Sequence, residues 1–234
     1  MDFMATRYLP LRTPAVHLKV MTKTLSEMLQ RFGAETPRAV QNQFDAFVAG
    51  LRDLGIGAAA PQVGEAFPAF SLPDAAGHYR SLDGLLVDGP IVLSFNRGGW
   101  CPYCSHELRA WCEHMPALRS AGANLVVVTP EVGGRAALLA HLVGTDADLL
   151  CDVDHGVALA SGLAFHMGQE LQQSYVEWGL DLAEIYGSAS GILPVPATFV
   201  IDSGGIVRFA HADPDFRIRA EPDEVMASVA ALAA

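Results

Sequence analysis

The stretch RGGWCPYCSHEL, residues 97–108, carries two cysteines three positions apart. Before it lies IVLSFN, residues 91–96, whose short continuous apolar run predicts a buried strand, and after it comes a segment with helical periodicity. Cys101 and Cys104 therefore fall at the start of a helix, where unpaired backbone N–H groups and the helix dipole favour a thiolate. One helical turn also brings two cysteines within disulfide range. We interpret the pair as redox-active, with Trp100 shielding the rear of the site.

A zinc site is the main alternative for these cysteines. Cys112 lies eight residues beyond Cys104, about 12 Å along a helix, which is too far for both to ligate one ion or to form a disulfide. His106 alone leaves the site a ligand short, so we predict no metal. We expect Cys112 to be a buried, inert thiol. Cys151 ends a predicted strand and carries the same expectation, with an auxiliary resolving role as its alternative.

The order of the predicted elements indicates the fold class. The strand before the cysteines is followed by a helix, a second buried strand in NLVVVTP (residues 124–130), and a helix over residues 131–143. Alternating strands and helices predict a partly parallel sheet. The late hairpin from TFVID (residues 198–202) adds antiparallel strands. We therefore predict an α/β, thioredoxin-like fold with a mixed central sheet flanked by helices.

An N-terminal helical extension precedes this domain. Residues 1–21 have no clear period and predict a loose arm, whereas Thr24 and Glu27 have capping-box spacing at the start of an amphipathic helix. A second helix is predicted with Thr36 as its N-cap and Pro37 at its first helical position. The two helices pack a core or form a subunit contact, which makes a homodimer one expected assembly. We divide the chain into residues 1–60, the arm and helix pair, and 61–234, the thioredoxin-like domain, with a helical insert at about 165–190.

Composition restricts the classes of partner. The 234 residues are 51% hydrophobic and 18% charged, which suits a sizeable core, and the formal net charge is −11. Because the sequence has no basic block, we expect neither nucleic acid nor an anionic membrane as a partner. The sequence shows neither a signal-peptide pattern nor an apolar run long enough for a membrane span, so we predict a cytoplasmic protein. A cytosolic CxxC is typically catalytic or metal-binding.

A second feature bears on redox chemistry. In LPVPATFVID, Val195 and Pro196 come directly before a predicted buried strand, a place where a proline is tolerated. Thioredoxin folds use a cis-proline at this point to present backbone to an extended substrate. An ordinary turn proline is the alternative, and we expect the cis form.

Three blocks of the sequence are similar to one family. They are VGEAFPAFSLPDAAGHYRSL, IVLSFNRGGWCPYCSHELRAW and LPVPATFVIDSGGIVRFAHADPDFRIRAEP. With the N-terminal helix pair, they resemble the peroxiredoxin-like branch of the alkyl hydroperoxide reductase/thiol-specific antioxidant (AhpC/TSA) family, in the thioredoxin superfamily. The resemblance covers nearly everything after about residue 22.

The sequence departs from that family at its reactive positions. Ordinary members have Pro-x-x-x-Thr-x-x-Cys, and in this chain Arg97 stands at the proline, Cys101 at the threonine and Cys104 at the peroxidatic cysteine. Pro196 stands where the family has its activating arginine. Arg97 is a candidate source of positive charge for a thiolate. Glu107 matches an acid three residues after the peroxidatic cysteine. It is a candidate proton relay, although we favour a solvated surface position for it.

These observations predict a dithiol oxidoreductase that cycles a Cys101–Cys104 disulfide without a cofactor. In a peroxidase, Cys104 meets the hydroperoxide and Cys101 condenses with the resulting sulfenic acid. In a thioredoxin-like protein-disulfide reductase, Cys101 attacks and Cys104 resolves the mixed disulfide. The resemblance implies a thioredoxin-type reductant and favours peroxide as the oxidant. A non-enzymatic redox sensor or binding module is the rival from another class.

Overall fold

A five-stranded mixed sheet forms the centre of the fold. The computed structural model describes residues 24–132, 134–143 and 147–232, so the predicted arm over residues 1–21 lies outside the described residues. The strands of the sheet are β3 (Ile91–Phe95), β4 (Asn124–Thr129), β5 (Asp148–Cys151), β8 (Ala197–Ile201) and β9 (Val207–Ala212). Their spatial order is β5-β4-β3-β8-β9, with β3, β4 and β5 parallel and with β8 and β9 antiparallel to their neighbours. The predicted late hairpin is therefore confirmed.

Two short ladders accompany the sheet. β1 (Ser71–Pro73) pairs with β2 (Tyr79–Ser81), and β6 (Ala164–His166) pairs with β7 (Ile192–Pro194), both antiparallel. Between β6 and β7 the chain forms two short helices, in the region where the sequence predicts a helical insert.

The helices lie on both faces of the sheet. Their bounds are α1 Leu25–Ala34, α2 Arg38–Asp53, α3 Leu82–Leu86, α4 Pro102–Ser120, α5 Gly134–Val143, α6 Gly156–Ala160, α7 Gln169–Glu177, α8 Leu182–Tyr186 and α9 Pro222–Ala230. The predicted capping box of α1 is confirmed, since Thr24 and Glu27 bond reciprocally. Pro37 is the N-cap of α2 rather than its first helical residue. The predicted thioredoxin-like fold with an N-terminal helical extension is confirmed.

Side-chain alternation along the strands builds a core on each face of the sheet. On one face, Leu93 and Phe95 of β3 pack with residues of α1 and α2. On the other, Val92 packs with the apolar stripe of α4, which consists of Leu108, Trp111, Met115 and Leu118. Helix α4 also contributes Tyr103 and Cys104 to the first core. Its N-terminus is thereby held between the sheet and the N-terminal helices.

The N-terminal helices bind the segment that precedes α9. Glu221 accepts hydrogen bonds from the backbone N–H groups of Leu25 and Ser26, at 2.9 and 2.7 Å. Arg217 bonds Asp45 of α2 at 2.6 Å. These contacts fix residues 213–221 against α1 and α2.

None of the helices in the described part of the chain is both long enough and apolar enough to cross a membrane.

The predicted cis-proline is wrong. The Val195–Pro196 peptide bond is trans, as are the other described bonds. Residues 195 and 196 form a two-residue link between β7 and β8 that has no turn or bend. The ordinary trans preference of an X–Pro bond therefore prevails.

Candidate active site

The end of β3 and the start of α4 bring the two cysteines beneath the N-terminal helices. Cys101 is the N-cap of α4 and Cys104 lies in its first turn, with Pro102 at the first helical position. Gly98 joins the strand to this turn with a φ of 120°, which glycine adopts readily. Both cysteines are free thiols and fully buried. The predicted pair thus lies at the junction that the sequence indicates.

Arg97 lies against the first thiol. Its Nη2 donates to Cys101 Sγ at 3.2 Å, and its backbone N–H donates to Cys104 Sγ at 3.4 Å. The guanidinium stacks over the ring of Phe216, 3.9 Å from the centroid, and lies 4.9 Å from that of Trp100. Because Arg97 is only 2% exposed, its charge acts on the thiols with little screening by water.

A second buried arginine lies against the other thiol. Arg219 comes from the segment between β9 and α9, and its Nη2 donates to Cys104 Sγ at 3.3 Å. Its Nε donates to Glu107 Oε2 at 2.8 Å, and both side chains are 1% exposed. The other carboxylate oxygen of Glu107 accepts from Thr198 at 3.3 Å and from Ser94 at 3.4 Å. Cys104 therefore belongs to a closed, hydrogen-bonded ion-pair network.

The two thiols have opposite pKa shifts. Burial alone raises the pKa of Cys101, but a hydrogen bond from Cys104 and the charges of Arg97 and Arg219 outweigh it and bring the pKa well below its ordinary value. For Cys104, burial is again the largest cause, and the hydrogen bond and negative charge at Cys101 raise its pKa further. These shifts favour ionisation at Cys101 over Cys104.

Glu131 is a buried acid that contacts the turn between β3 and α4. Its Oε2 accepts from the backbone N–H of Gly99 at 3.0 Å. Burial raises the pKa of Glu131 to about 7, although the bond from Gly99 and the charge of Arg135 oppose the shift. A Cβ atom on Gly98 would lie 2.6 Å from the Glu131 carboxyl carbon. The glycine is therefore needed for space as well as for its φ angle.

Aromatic side chains close the site over the sulfur atoms. Phe216 packs edge-on against Tyr103 and against Phe44 of α2. Phe32 of α1 packs against Tyr103. Trp100 donates its indole N–H to Tyr186, whose hydroxyl in turn donates to the backbone carbonyl of Arg97 at 2.6 Å. These contacts hold the Arg97 turn and leave neither sulfur exposed to solvent.

The other predicted site residues fall into two groups. Trp100 and Arg97 join the cysteines, as expected. Val195 and Pro196 are buried at the start of β8, whose Ala197 pairs with Phe95 of β3, so they adjoin the turn without presenting exposed backbone.

The preference for a solvated Glu107 is wrong. Its carboxylate lies beneath Cys104 in the pair with Arg219. Burial raises its pKa, while Arg219 partly offsets the shift.

The remaining cysteines lie apart from the pair. Cys112 is half-buried rather than buried, and burial raises its pKa. Cys151 is half-buried at the end of β5, two strands away from β3 in the sheet. The described residues contain no group of three or more His, Cys, Asp or Glu side chains that could hold a metal ion.

Sequence reasoning missed two residues of the site, Arg219 and Glu131. Arg219 lies 115 positions after Cys104, in a segment without regular secondary structure, so no local pattern points to it. Glu131 lies two residues after β4. The feature that indicates Glu131 as a site residue is its position at the carboxyl end of a parallel strand next to β3, since sites in open α/β sheets form at that edge.

Two thiols between two buried arginines, on a mixed sheet flanked by helices, define a thioredoxin-fold dithiol protein. Residues 63–210 match the model of the AhpC/TSA family, and the chain belongs to that family. It is 29% identical over 102 residues to the "Putative peroxiredoxin Rv1608c" of Mycobacterium tuberculosis H37Rv, covering 44% of this chain and 66% of that protein, and it matches the corresponding protein of strain CDC 1551 equally.

Solved structures show the same fold. Peroxidoxin BcpB of M. tuberculosis superposes with a TM-score of 0.57 at 24% identity, covering 74% of this chain and 98% of that one. The AhpC of the same organism gives a TM-score of 0.55 at 15% identity, covering 75% and 94%.

Proposed function

We propose that this protein is a thiol peroxidase that reduces hydroperoxides by cycling a Cys101–Cys104 disulfide. One observation carries the proposal: a low-pKa thiolate and a second thiol share one buried site with two arginine side chains. Cationic donors at a thiolate favour its ionised form and stabilise the negative charge that leaves when a peroxide O–O bond breaks. Membership of the AhpC/TSA family supports the same chemistry.

The chemistry balances without a cofactor. A thiolate attacks one peroxide oxygen, an S–O bond forms, the O–O bond breaks, and the leaving alkoxide takes a proton to become an alcohol. The second thiol then attacks the sulfenic sulfur, forming the disulfide and releasing water. A thioredoxin-type dithiol restores both thiols by disulfide exchange. Such a donor fits a reducing, cytoplasmic compartment.

Burial favours a small oxidant over a protein disulfide. Both sulfur atoms are inaccessible, and Val195 and Pro196, the residues that would pair with an extended peptide, are buried. A small hydroperoxide needs a smaller opening to reach a buried sulfur atom than a protein disulfide needs. The lowered pKa of Cys101 at a helix N-terminus equally suits disulfide exchange, which makes protein-disulfide reduction the second candidate.

The test is the rate at which the reduced protein loses thiols to hydrogen peroxide, compared with free cysteine at the same pH. A variant with Cys112→Ser and Cys151→Ser restricts the measurement to the site. We expect a rate at least a hundredfold above free cysteine, and no turnover with thioredoxin and its reductase when either Cys101 or Cys104 is serine. A rate equal to that of free cysteine would refute peroxidase function. Rapid reduction of protein disulfides by the same preparation would then support the second candidate.

A further inference from the structure

The two arginines of the site, Arg219 and Arg97, differ in how many of their N–H groups are hydrogen-bonded. Arg219 is fully engaged, because its Nε bonds Glu107, its Nη1 bonds the carbonyl of Ile218, and its Nη2 bonds Cys104. Arg97 is less fully engaged: its Nη2 bonds Cys101, its Nε and Nη1 are buried without a hydrogen-bond partner in good geometry, and the hydroxyl of buried Tyr175 is the other polar group beside the guanidinium. A buried donor without a partner is costly, so these two N–H groups indicate a place for an acceptor.

The charges differ in the same way. Glu107 neutralises Arg219 through a buried bond of 2.8 Å. No carboxylate is paired with Arg97 among the described residues, and the nearest negative charge is the Cys101 thiolate. Aromatic rings on Phe216 and Trp100 hold the guanidinium in place. Arg97 thus presents fixed N–H donors, and a charge that no carboxylate of the described residues neutralises, beside one sulfur atom.

We infer that the peroxidatic sulfur is that of Cys101, and that the Nε–H of Arg97, which shares an edge of the guanidinium with the Nη2 that bonds Cys101, binds an oxygen atom of the hydroperoxide. This inference rests on the proposed peroxidase function. It departs from the position that the family pattern indicates, since Cys104 stands at the family's peroxidatic cysteine and Cys101 at its threonine. Cys104 is the resolving thiol: burial and the hydrogen bond and charge at Cys101 raise its pKa and favour its protonated form, while Arg219 and the backbone N–H of Arg97 orient its sulfur.

The assignment gives each group one step. Cys101 Sγ attacks the nearer peroxide oxygen, and the O–O bond breaks as the S–O bond forms. The alkoxide that leaves carries negative charge, which the Arg97 N–H groups stabilise until it takes a proton and becomes an alcohol. Cys104 Sγ then attacks the sulfur of Cys101, the S–O bond breaks as the S–S bond forms, and the sulfenic OH leaves with the proton of Cys104 as water.

The first experiment locates the sulfenic acid. Cys101→Ser and Cys104→Ser, each made in the Cys112→Ser/Cys151→Ser background, are treated with one equivalent of hydrogen peroxide and trapped with dimedone. We expect Cys104→Ser to form one adduct, on Cys101, far faster than free cysteine reacts. We expect Cys101→Ser to react about as slowly as free cysteine. Rapid quenching of the unsubstituted protein followed by peptide mapping gives the same assignment without a variant that could misfold.

The second experiment separates oxygen binding from simple charge. Arg97→Lys keeps a cation beside Cys101 but loses the planar pair of donors. We expect its first-turnover rate with hydrogen peroxide to fall about 10- to 100-fold, while alkylation of Cys101 by iodoacetamide, which needs only the thiolate, changes less than threefold. Arg208→Lys, at a distant surface ion pair with Asp202, is the matched control and should change neither rate.

Two results would overturn the inference, and a third concerns the proposed function. An adduct on Cys104 in Cys101→Ser at the wild-type rate would make Cys104 the peroxidatic residue and leave peroxidase function standing. Equal losses of peroxide reaction and alkylation in Arg97→Lys would reduce Arg97 to a source of charge. If the wild type itself reacts no faster than free cysteine, the proposed function fails and the inference falls with it.

Discussion

The buried pair of Glu107 and Arg219 can be tested by replacing Arg219 with methionine. Methionine fills a similar apolar volume but leaves the Glu107 carboxylate with only the hydroxyls of Thr198 and Ser94. Both members of the pair are 1% exposed, so water cannot replace the lost partner. Removing one partner of a buried pair typically costs about 3–5 kcal/mol of unfolding free energy. We expect a loss in that range at pH 8.

The loss should depend on pH in a definite direction. Burial already raises the pKa of folded Glu107 despite the charge of Arg219, and removing the arginine raises it further. An acid with a higher pKa in the folded state binds its proton more tightly when folded, so the folded state is favoured at low pH and loses stability as the pH rises through the folded pKa. The variant should therefore be closer to wild type at pH 5 than at pH 8.

The assay is urea unfolding followed by tryptophan fluorescence in the presence of a reductant. With a slope of ~2–3 kcal/mol per molar urea, the expected loss moves the midpoint by about 1–2 M. The double variant Arg219→Met/Glu107→Gln is the control, since removing both charges should recover most of the stability. A loss below about 1 kcal/mol at pH 8, a loss independent of pH, or a double variant no better than the single one would each refute the reasoning.

Two further predictions concern the edges of the site. Because burial raises the pKa of Glu131 to about 7, its contribution to stability is present below the unfolded glutamate pKa and is lost as the pH rises to about 7. Glu131→Gln should therefore weaken the fall in stability between pH 5 and pH 8, measured by urea unfolding. An unchanged pH profile would show that Glu131 does not titrate in that range. Arg217 bonds Asp215 and Asp45 of α2, so Arg217→Ala should loosen residues 213–221 over the thiols and raise the rate at which Ellman's reagent modifies the thiols several-fold. The control Arg208→Ala, which breaks a comparable pair with Asp202, should not change that rate. Equal rates in both variants would mean that residues 213–221 open independently of the Arg217 contact.

The reactive pair could be predicted from the sequence because its signals are local. The spacing of Cys101 and Cys104, the apolar strand before them and the helical stripe after them are all contained in about thirty consecutive residues. The same holds for the central strands, whose apolar runs are short and separated by turn residues. Local periodicity determines elements of this kind, and the parallel order of β3 and β4 follows from the helix between them.

The partners of the pair could not be predicted in this way. Glu107 lies three residues after Cys104 and four before Trp111, on the buried face of α4. Helical spacing from these two residues therefore indicates that Glu107 is buried. A buried carboxylate needs a cation, and no local pattern places one beside Glu107. Arg219, the cation in question, is brought to Glu107 only by the tertiary path of residues 213–221 across α1 and α2. Long-range contacts of this kind have no local pattern.

The substitutions that separate this chain from its family pattern are physically consistent with one another. Pro196 removes the arginine expected before β8, and Arg219 supplies a guanidinium to Cys104 from another part of the chain. Arg97 adds a second guanidinium where the pattern has a proline, and Cys101 adds a second sulfur where it has a threonine, each in contact with the other. A buried arginine without a carboxylate would be strongly unfavourable unless an adjacent group carried negative charge, and an ionised Cys101 provides that charge. Arg97 and Cys101 therefore stabilise each other's charged forms, which is the condition that a nucleophilic thiolate requires.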